Sequence, residues 1–170
     1  MKLTLINPDV ALQDSYIAGK RALKAEGLHW LQDVDLDHVN ANFEIYVAKL
    51  LQAAFIRTNL LVPETILWAV VNGEFAGRIS IRHELNENLR KEGGHIGYET
   101  VPKFRKQGVA SEMLKQALPI ARNLGISEIL ITCDDDNEGS IKVIEKNDGV
   151  LATKQTPAGK KLKRYYWIKL

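Results

Sequence analysis

One stretch constrains this chain more than any other: Gly94 to Leu118, reading GHIGYETVPKFRKQGVASEMLKQAL. His95 to Val101 alternates polar and apolar residues, the period of a strand. Val109, Leu114, Ala117, Leu118, Ala121 and Leu124 then recur at helical spacing, which predicts a helix over Gly108 to Leu124 stopped by Gly125. Between the two lies a basic turn, Arg105-Lys106-Gln107-Gly108-Val109-Ala110. A helix start offers unpaired N–H groups and partial positive charge, so a small-residue entry flanked by cations suits a phosphate or pyrophosphate. Ser127 to Cys133 follows as a near-continuous apolar run, the pattern of a strand buried on both faces. Strand, helix and strand in this order predict two parallel neighbours joined by a right-handed crossover.

The rest of the chain is arranged around this unit. Leu3 to Ile6 reads as an edge strand closed by Asn7-Pro8. Helices are predicted over Val10 to Glu26 and Val39 to Phe55, lying over one end of the sheet. Asn72-Gly73 between Ile66–Val71 and Phe75–Arg82 is a strong hairpin signal. A polar loop over Asn86 to Gly94 leads to the strand of the opening stretch. Pro119 is expected to bend the last turns of the long helix. Asp134 to Asn137 reads as the cap of a helix over Glu138 to Lys146, stopped by Asn147-Asp148-Gly149. A final hairpin pairs Val150–Gln155 with Lys163–Lys169 around Pro157-Ala158-Gly159. The element order is β-α-α-β-β-β-α-β-α-β-β, an α/β (α+β) class, and 170 residues suit a single domain over 1–170.

Composition narrows the function classes. A net charge of +2 carries no polyelectrolyte signal for nucleic acid or an anionic membrane, and no apolar run approaches a membrane span. The basic run Lys160 to Arg164 reads as a hairpin turn with solvated flanks. A single cysteine, Cys133, excludes an intrachain disulfide framework and fits a reducing compartment, and the start lacks a signal-peptide pattern, so a cytoplasmic location is expected. Cys133 reads as a core residue, and Asp134-Asp135-Asp136 as a capping turn, since no spaced ligand set follows it; no metal is expected.

Arg105, Gly108 and Ala110, with Val101-Pro102 and Phe104 before them, resemble the signature of the GNAT superfamily of acetyl-CoA-dependent N-acetyltransferases. Asn137 and Ser140 match its Asn and small residue at the next helix start. The resemblance covers Ile66 to the C-terminus and is closest to uncharacterised bacterial predicted acetyltransferases. It implies a mixed, mostly antiparallel central sheet of about seven strands flanked by about four helices. It also implies that the N–H groups of Gln107, Gly108, Val109 and Ala110, with Arg105 and Lys106, hold the coenzyme A pyrophosphate. Thr100 and Val101 would pair with the pantetheine arm beside a bulge near Glu99, and Asn137 would meet the pantetheine amide or a water.

The chemistry so implied is direct attack of a neutral amine, of a small molecule or a peptide N-terminus, on the acetyl thioester. It needs a base and an N–H to stabilise the oxyanion. The amide of Val101 or Thr100 is the expected oxyanion donor. His95 and Glu99 are the candidate bases, His95 reading equally as a satisfied strand histidine and Glu99 as structural or substrate-orienting. The family's usual acid, a Tyr seven residues after the Asn, is replaced by Ile144, which leaves water or Ser140, and Ser140 reads first as a plain helix-start residue. Two other readings compete: a non-catalytic acyl-CoA-binding or sensing domain, and an α/β module binding another phosphate. Tyr165, Tyr166 and Trp167 read as an ordinary core strand or as part of a homodimer contact.

Overall fold

The computed structural model describes residues 2–27, 29–58 and 60–170, with the backbone alone described at 29 and 30. The chain opens with β1 (Leu3–Ile6) and a single 3-10 turn whose first amides are capped by Asp9. Four helical segments follow: α1 (Gln13–Ala25), α2 (His29–Gln32), α3 (Leu36–Ala41) and α4 (Phe43–Gln52). The single helix expected over Val39 to Phe55 is thus divided. Asn42 leaves helical geometry (φ −123°), and its side-chain amide donates to the His38 carbonyl, satisfying the backbone without continuing the helix.

The hairpin β2 (Glu64–Val71) and β3 (Glu74–Arg82) turns at Asn72-Gly73 as expected. The polar loop after it contains a short helix, α5 (Glu87–Lys91), whose start is capped when the Asn86 side chain accepts from the Leu89 N–H. Then come β4 (Ile96–Thr100), α6 (Val109–Asn123), β5 (Glu128–Asp134), α7 (Glu138–Lys146), β6 (Val150–Gln155) and β7 (Lys163–Lys169). α6 continues through Pro119 to Asn123.

The seven strands form two antiparallel sheets, β1-β2-β3-β4 and β5-β7-β6. This corrects the expected parallel neighbours: β4 and β5 share no ladder, and a lone antiparallel bridge between Gly94 and Ile131 joins them. The bulge expected near Glu99 is also absent, since β3 and β4 pair in continuous register from Gly77–Thr100 to Ile81–Ile96. The irregularity lies instead between Ala69 and Val70 on β2.

Two cores hold the fold. The larger, under α6 and α7, joins Ile79, Ile81, Met113, Leu114, Ile129 and Tyr166. The smaller lies between α1, α4 and the opposite sheet face, where Tyr16 stacks on Trp68 with ring centroids 4.4 Å apart and shares a 2.6 Å hydrogen bond with the Tyr46 hydroxyl. Tyr165 and Tyr166 are buried, and the Tyr165 hydroxyl donates to the Lys91 carbonyl, so these two residues are core. The basic run is also more than solvated flanks: Lys161 pairs with Asp136, Lys163 with Asp134 and Glu92, and Arg164 with Asp135. These pairs occupy all three acidic side chains of the capping turn.

Candidate active site

The site is built where β4 parts from β5. Val101 donates its N–H to the Ala76 carbonyl at 2.9 Å, and the β3–β4 register runs on from there. In an antiparallel ladder alternate residues turn both backbone groups to the partner. Gly97, Glu99 and Val101 therefore face β3, while Ile96, Tyr98 and Thr100 turn theirs to the far edge, to which no strand is paired among the described residues. The Val101 amide is accordingly engaged and does not serve as the expected oxyanion donor; Thr100 keeps an outward N–H. The Thr100 carbonyl accepts from Arg105 Nε at 3.2 Å, and its hydroxyl is buried without a hydrogen-bond partner.

Following the edge leads to the basic turn. Lys106 and Gly108 both take left-handed backbone angles (φ 58° and 82°), and Gly108 is the N-cap of α6. The starts of α3, α5 and α7 are each closed by a side chain, from Asp35, Asn86 and Asn137. No side chain closes α6, as none closes α1 or α4, so its first amides are available to an anion. Gln107 donates to the Lys103 carbonyl, while Val109 is buried and Ala110 half-buried against the core. Arg105 holds Glu26 of the α1 C-cap through two hydrogen bonds, at 2.9 and 2.6 Å, an exposed pair of small energetic weight. Beside the turn an open cleft of about 730 Å³ is lined by Gly108, Ser111, Asn147, three cations, Lys2, Lys115 and Lys146, and two carboxylates, Glu112 and Asp148. The three lysines carried no sequence signal, because only the packing of β1, α6 and α7 brings them together.

His95 sits at the junction of the sheets. Its N–H donates to the Leu130 carbonyl at 2.7 Å, and its Nδ1 accepts the Leu130 N–H at 2.9 Å. Burial, with Arg90 and Arg82 nearby, pushes its pKa down to about 4. A neutral ring that accepts at Nδ1 carries its proton on Nε2 and has no lone pair left for a substrate proton. Glu99 lies on the opposite side of β4 from Tyr98 and forms a buried ion pair with Lys20 of α1. Burial pushes the Lys20 ammonium down, opposed by Glu99. Lys20 was legible in principle, as a charged residue on the stripe of Tyr16, Ile17 and Leu23. Tyr98 packs against the core, donates to the Ser140 carbonyl at 3.4 Å, and is pushed up to about 12 chiefly by burial.

The Asn137 side-chain oxygen Oδ1 accepts from the Ser140 N–H at 3.0 Å, so the two residues are tied to each other as cap and first turn. Ile144 is fully buried in the larger core. Cys133 is buried, and burial pushes its thiol up to about 11, away from thiolate chemistry at neutral pH. Among the described residues no group of three or more His, Cys, Asp or Glu side chains has a metal-holding arrangement, and no helix is long and apolar enough to cross a membrane.

An open strand edge running into an uncapped, cation-flanked helix is the arrangement that the site presents. The sequence model described as "Acetyltransferase (GNAT) domain" matches residues 21–150. The chain belongs to the GNAT acetyltransferase family. A curated relative, N-alpha-acetyltransferase 30 of Schizosaccharomyces pombe, is 25% identical over 84 residues, 49% of this GNAT chain and 56% of the relative, so the chain matches little more than half the relative's length. Among solved structures, the microcin C7 self-immunity acetyltransferase MccE, in complex with acetyl-CoA and AMP, aligns over 99% of this chain and 93% of its own at 14% identity and a TM-score of 0.75. The ribosomal-protein α-N-acetyltransferase RimL, in complex with coenzyme A, aligns over 100% and 95% at 20% identity and 0.74. These likenesses carry the fold; among the described residues the chain itself has seven strands and four longer helices, α1, α4, α6 and α7, with three short ones between them.

Proposed function

We propose that this protein transfers an acetyl group from acetyl-CoA to a primary amine, of a small molecule or a peptide N-terminus, by direct attack. The observation that carries the reading is the unpaired outer edge of β4 leading straight into the uncapped start of α6. Acetyl-CoA supplies an activated acyl thioester, and the chain's part is to bind, orient and move protons. The amides of Gln107 to Ala110, with Lys106, receive the pyrophosphate, and Arg105 exchanges its exposed contact with Glu26 for it. Lys2, Lys115 and Lys146 are placed for a further phosphate. The outward groups of Thr100 pair with an extended arm as an added strand would, and its N–H meets the charge that develops on the carbonyl oxygen.

An amine of pKa ~10 must lose a proton before attack. With His95 closed to that task by its Leu130 bond, Glu99 is the titratable β4 side chain on the remaining face, held by Lys20. The amine nitrogen forms the new bond to the acetyl carbon, the carbon–sulfur bond breaks, and the thiol leaves with a proton. A thiol of pKa ~8.5 needs little acid help, which fits a buried Ile144 at the position of the family pattern's usual tyrosine. Asn137 and Ser140 are placed at the α7 start beside the gap.

The expected experiment is a thermal-shift series followed by thiol release. Acetyl-CoA raises the melting temperature where ATP and NAD do not, and an amine panel then releases thiol. Stabilisation by ATP or NAD but not acetyl-CoA would sink the reading. The buried Ile144 also favours a second reading, an acyl-CoA-binding sensor, which gains if acetyl-CoA binds tightly while no amine releases thiol.

A further inference from the structure

The two faces of the β1-β2-β3-β4 sheet are not equivalent. One is filled by the core under α6, where Leu67, Ile79, Ile81, Ile96 and Met113 are buried. On the other, residues directly opposite one another share a side: Ile66 and Trp68 are buried there in the smaller core under α1 and α4, and beside them Glu64, Arg78, Arg82, Gly97 and Glu99 stay partly exposed around a buried Ser80. An amine approaching a thioester along the outer edge of β4 cannot pass through the filled core. It must come over the partly exposed polar patch of this second face, a step that rests on the acetyl-transfer reading above.

The charges on that surface do not pair off. Lys20, Arg78 and Arg82 face two carboxylates, Glu64 and Glu99. Glu99 is taken by Lys20. Arg82 lies 3.5 Å from Glu64 and also donates to the carbonyls of Gly93 and Gly94, at 3.4 and 3.1 Å. Arg78 is left with Glu64 at 3.9 Å, beyond hydrogen-bond range, and its Nε is buried without a partner. Glu64 Oε1, on the same surface, is likewise buried without a hydrogen bond. A side chain one-third exposed (33%) keeps the Arg78 guanidinium within reach of a ligand. Gly97 keeps the floor open: a Cβ there would stand 3.7 to 3.8 Å from Arg82 and Ser80.

A guanidinium offers a planar fork of donors matched to a carboxylate, and a lone carboxylate oxygen accepts from an ammonium or N–H. We infer that Arg78 and Glu64 form the acceptor site, and that the acceptor is an amine with a carboxylate close to its reacting nitrogen. The carboxylate binds Arg78, and Glu64 takes a donor from the same molecule. Such a carboxylate is supplied either by an acidic residue at the first or second position of a peptide or by a free amino acid.

The test uses matched acceptors differing only in charge: tetrapeptide amides with Glu or Gln at position one or two, and free amino acids against their amides. Wild type is expected to favour the carboxylate members at least tenfold in kcat/KM, mostly through KM. The pair that shows it, peptide or amino acid, identifies the source. Arg78→Gln abolishes the preference, Arg78→Lys keeps part of it, and Gly97→Leu raises KM for every acceptor. Equal rates within the wild-type pairs, or a preference surviving Arg78→Gln, would overturn the assignment. Where no acceptor releases thiol, thermal shifts with glutarate against glutaramide, with and without acetyl-CoA, read the same site. A larger glutarate shift lost in Arg78→Gln supports it, and equal shifts overturn it. Failure of acetyl-CoA itself to bind counts against the transferase reading alone.

Discussion

Lys20 and Glu99 show how one buried pair ties the covering helix to the reacting strand. Both side chains are nearly enclosed, so removing one leaves the other charged and unpaired. Lys20→Met is expected to cost about 3–5 kcal/mol, and the double change Lys20→Met with Glu99→Leu to recover most of it. Denaturant titration of the three variants measures this; a double variant whose loss equals the sum of the two single losses would mean that the pair is not coupled. His95 makes a pH prediction. Its folded pKa, about 4, lies below the ordinary 6.5, so the unfolded chain takes up a proton first as pH falls. Stability is therefore full above pH ~6.5 and drains as pH drops toward 4, by up to about 3 kcal/mol. His95→Asn, which keeps an acceptor for Leu130, is expected to flatten that slope in urea melts. A slope unchanged between the two proteins would assign it elsewhere.

The start of α6 was readable because its requirements are local. A left-handed Gly108, small neighbours and an absent capping side chain all lie within a few residues. Open space surrounds a Cβ at Gly108, so Gly108→Ala costs only the left-handed penalty, about 1–2 kcal/mol. Gly108→Trp puts a ring over the amides, and acetyl-CoA affinity is expected to fall more than tenfold with the fold intact. Calorimetric titration checks it, and unchanged affinity would move the pyrophosphate away from this turn. The division between α3 and α4 escaped the pattern reading because apolar spacing continues across Asn42, while one side-chain hydrogen bond to His38 breaks the backbone. The capped α5 was missed for a related reason: Asn86 and five polar residues read as a loop until docked against the C-terminal hairpin, where Glu92 meets Lys160 and Lys163.

The joint between the two sheets gives the molecule its gap. Gly94 is left-handed (φ 64°), and a Cβ there would lie 2.2 Å from the Leu130 carbonyl oxygen, so the strands meet only because no side chain intervenes. Gly94→Ala is expected to cost about 2–4 kcal/mol and to raise KM for acetyl-CoA, since the same contact sets where β4 and β5 part. A variant as stable as wild type would mean that the joint is not a constraint. The hydrophobic periods, the Asn-Gly turn, the apolar run of β5 and the small-residue helix start were enough to place seven strands, the longer helices and the left-handed turn into α6, because each depends on neighbours close in sequence. Which amide of β4 is free, why His95 is closed to proton transfer, and how Lys20, Glu64 and Arg78 meet around Glu99 depended on strand register and helix docking. Those contacts join residues up to 79 positions apart, and no period in a single sequence records such partners.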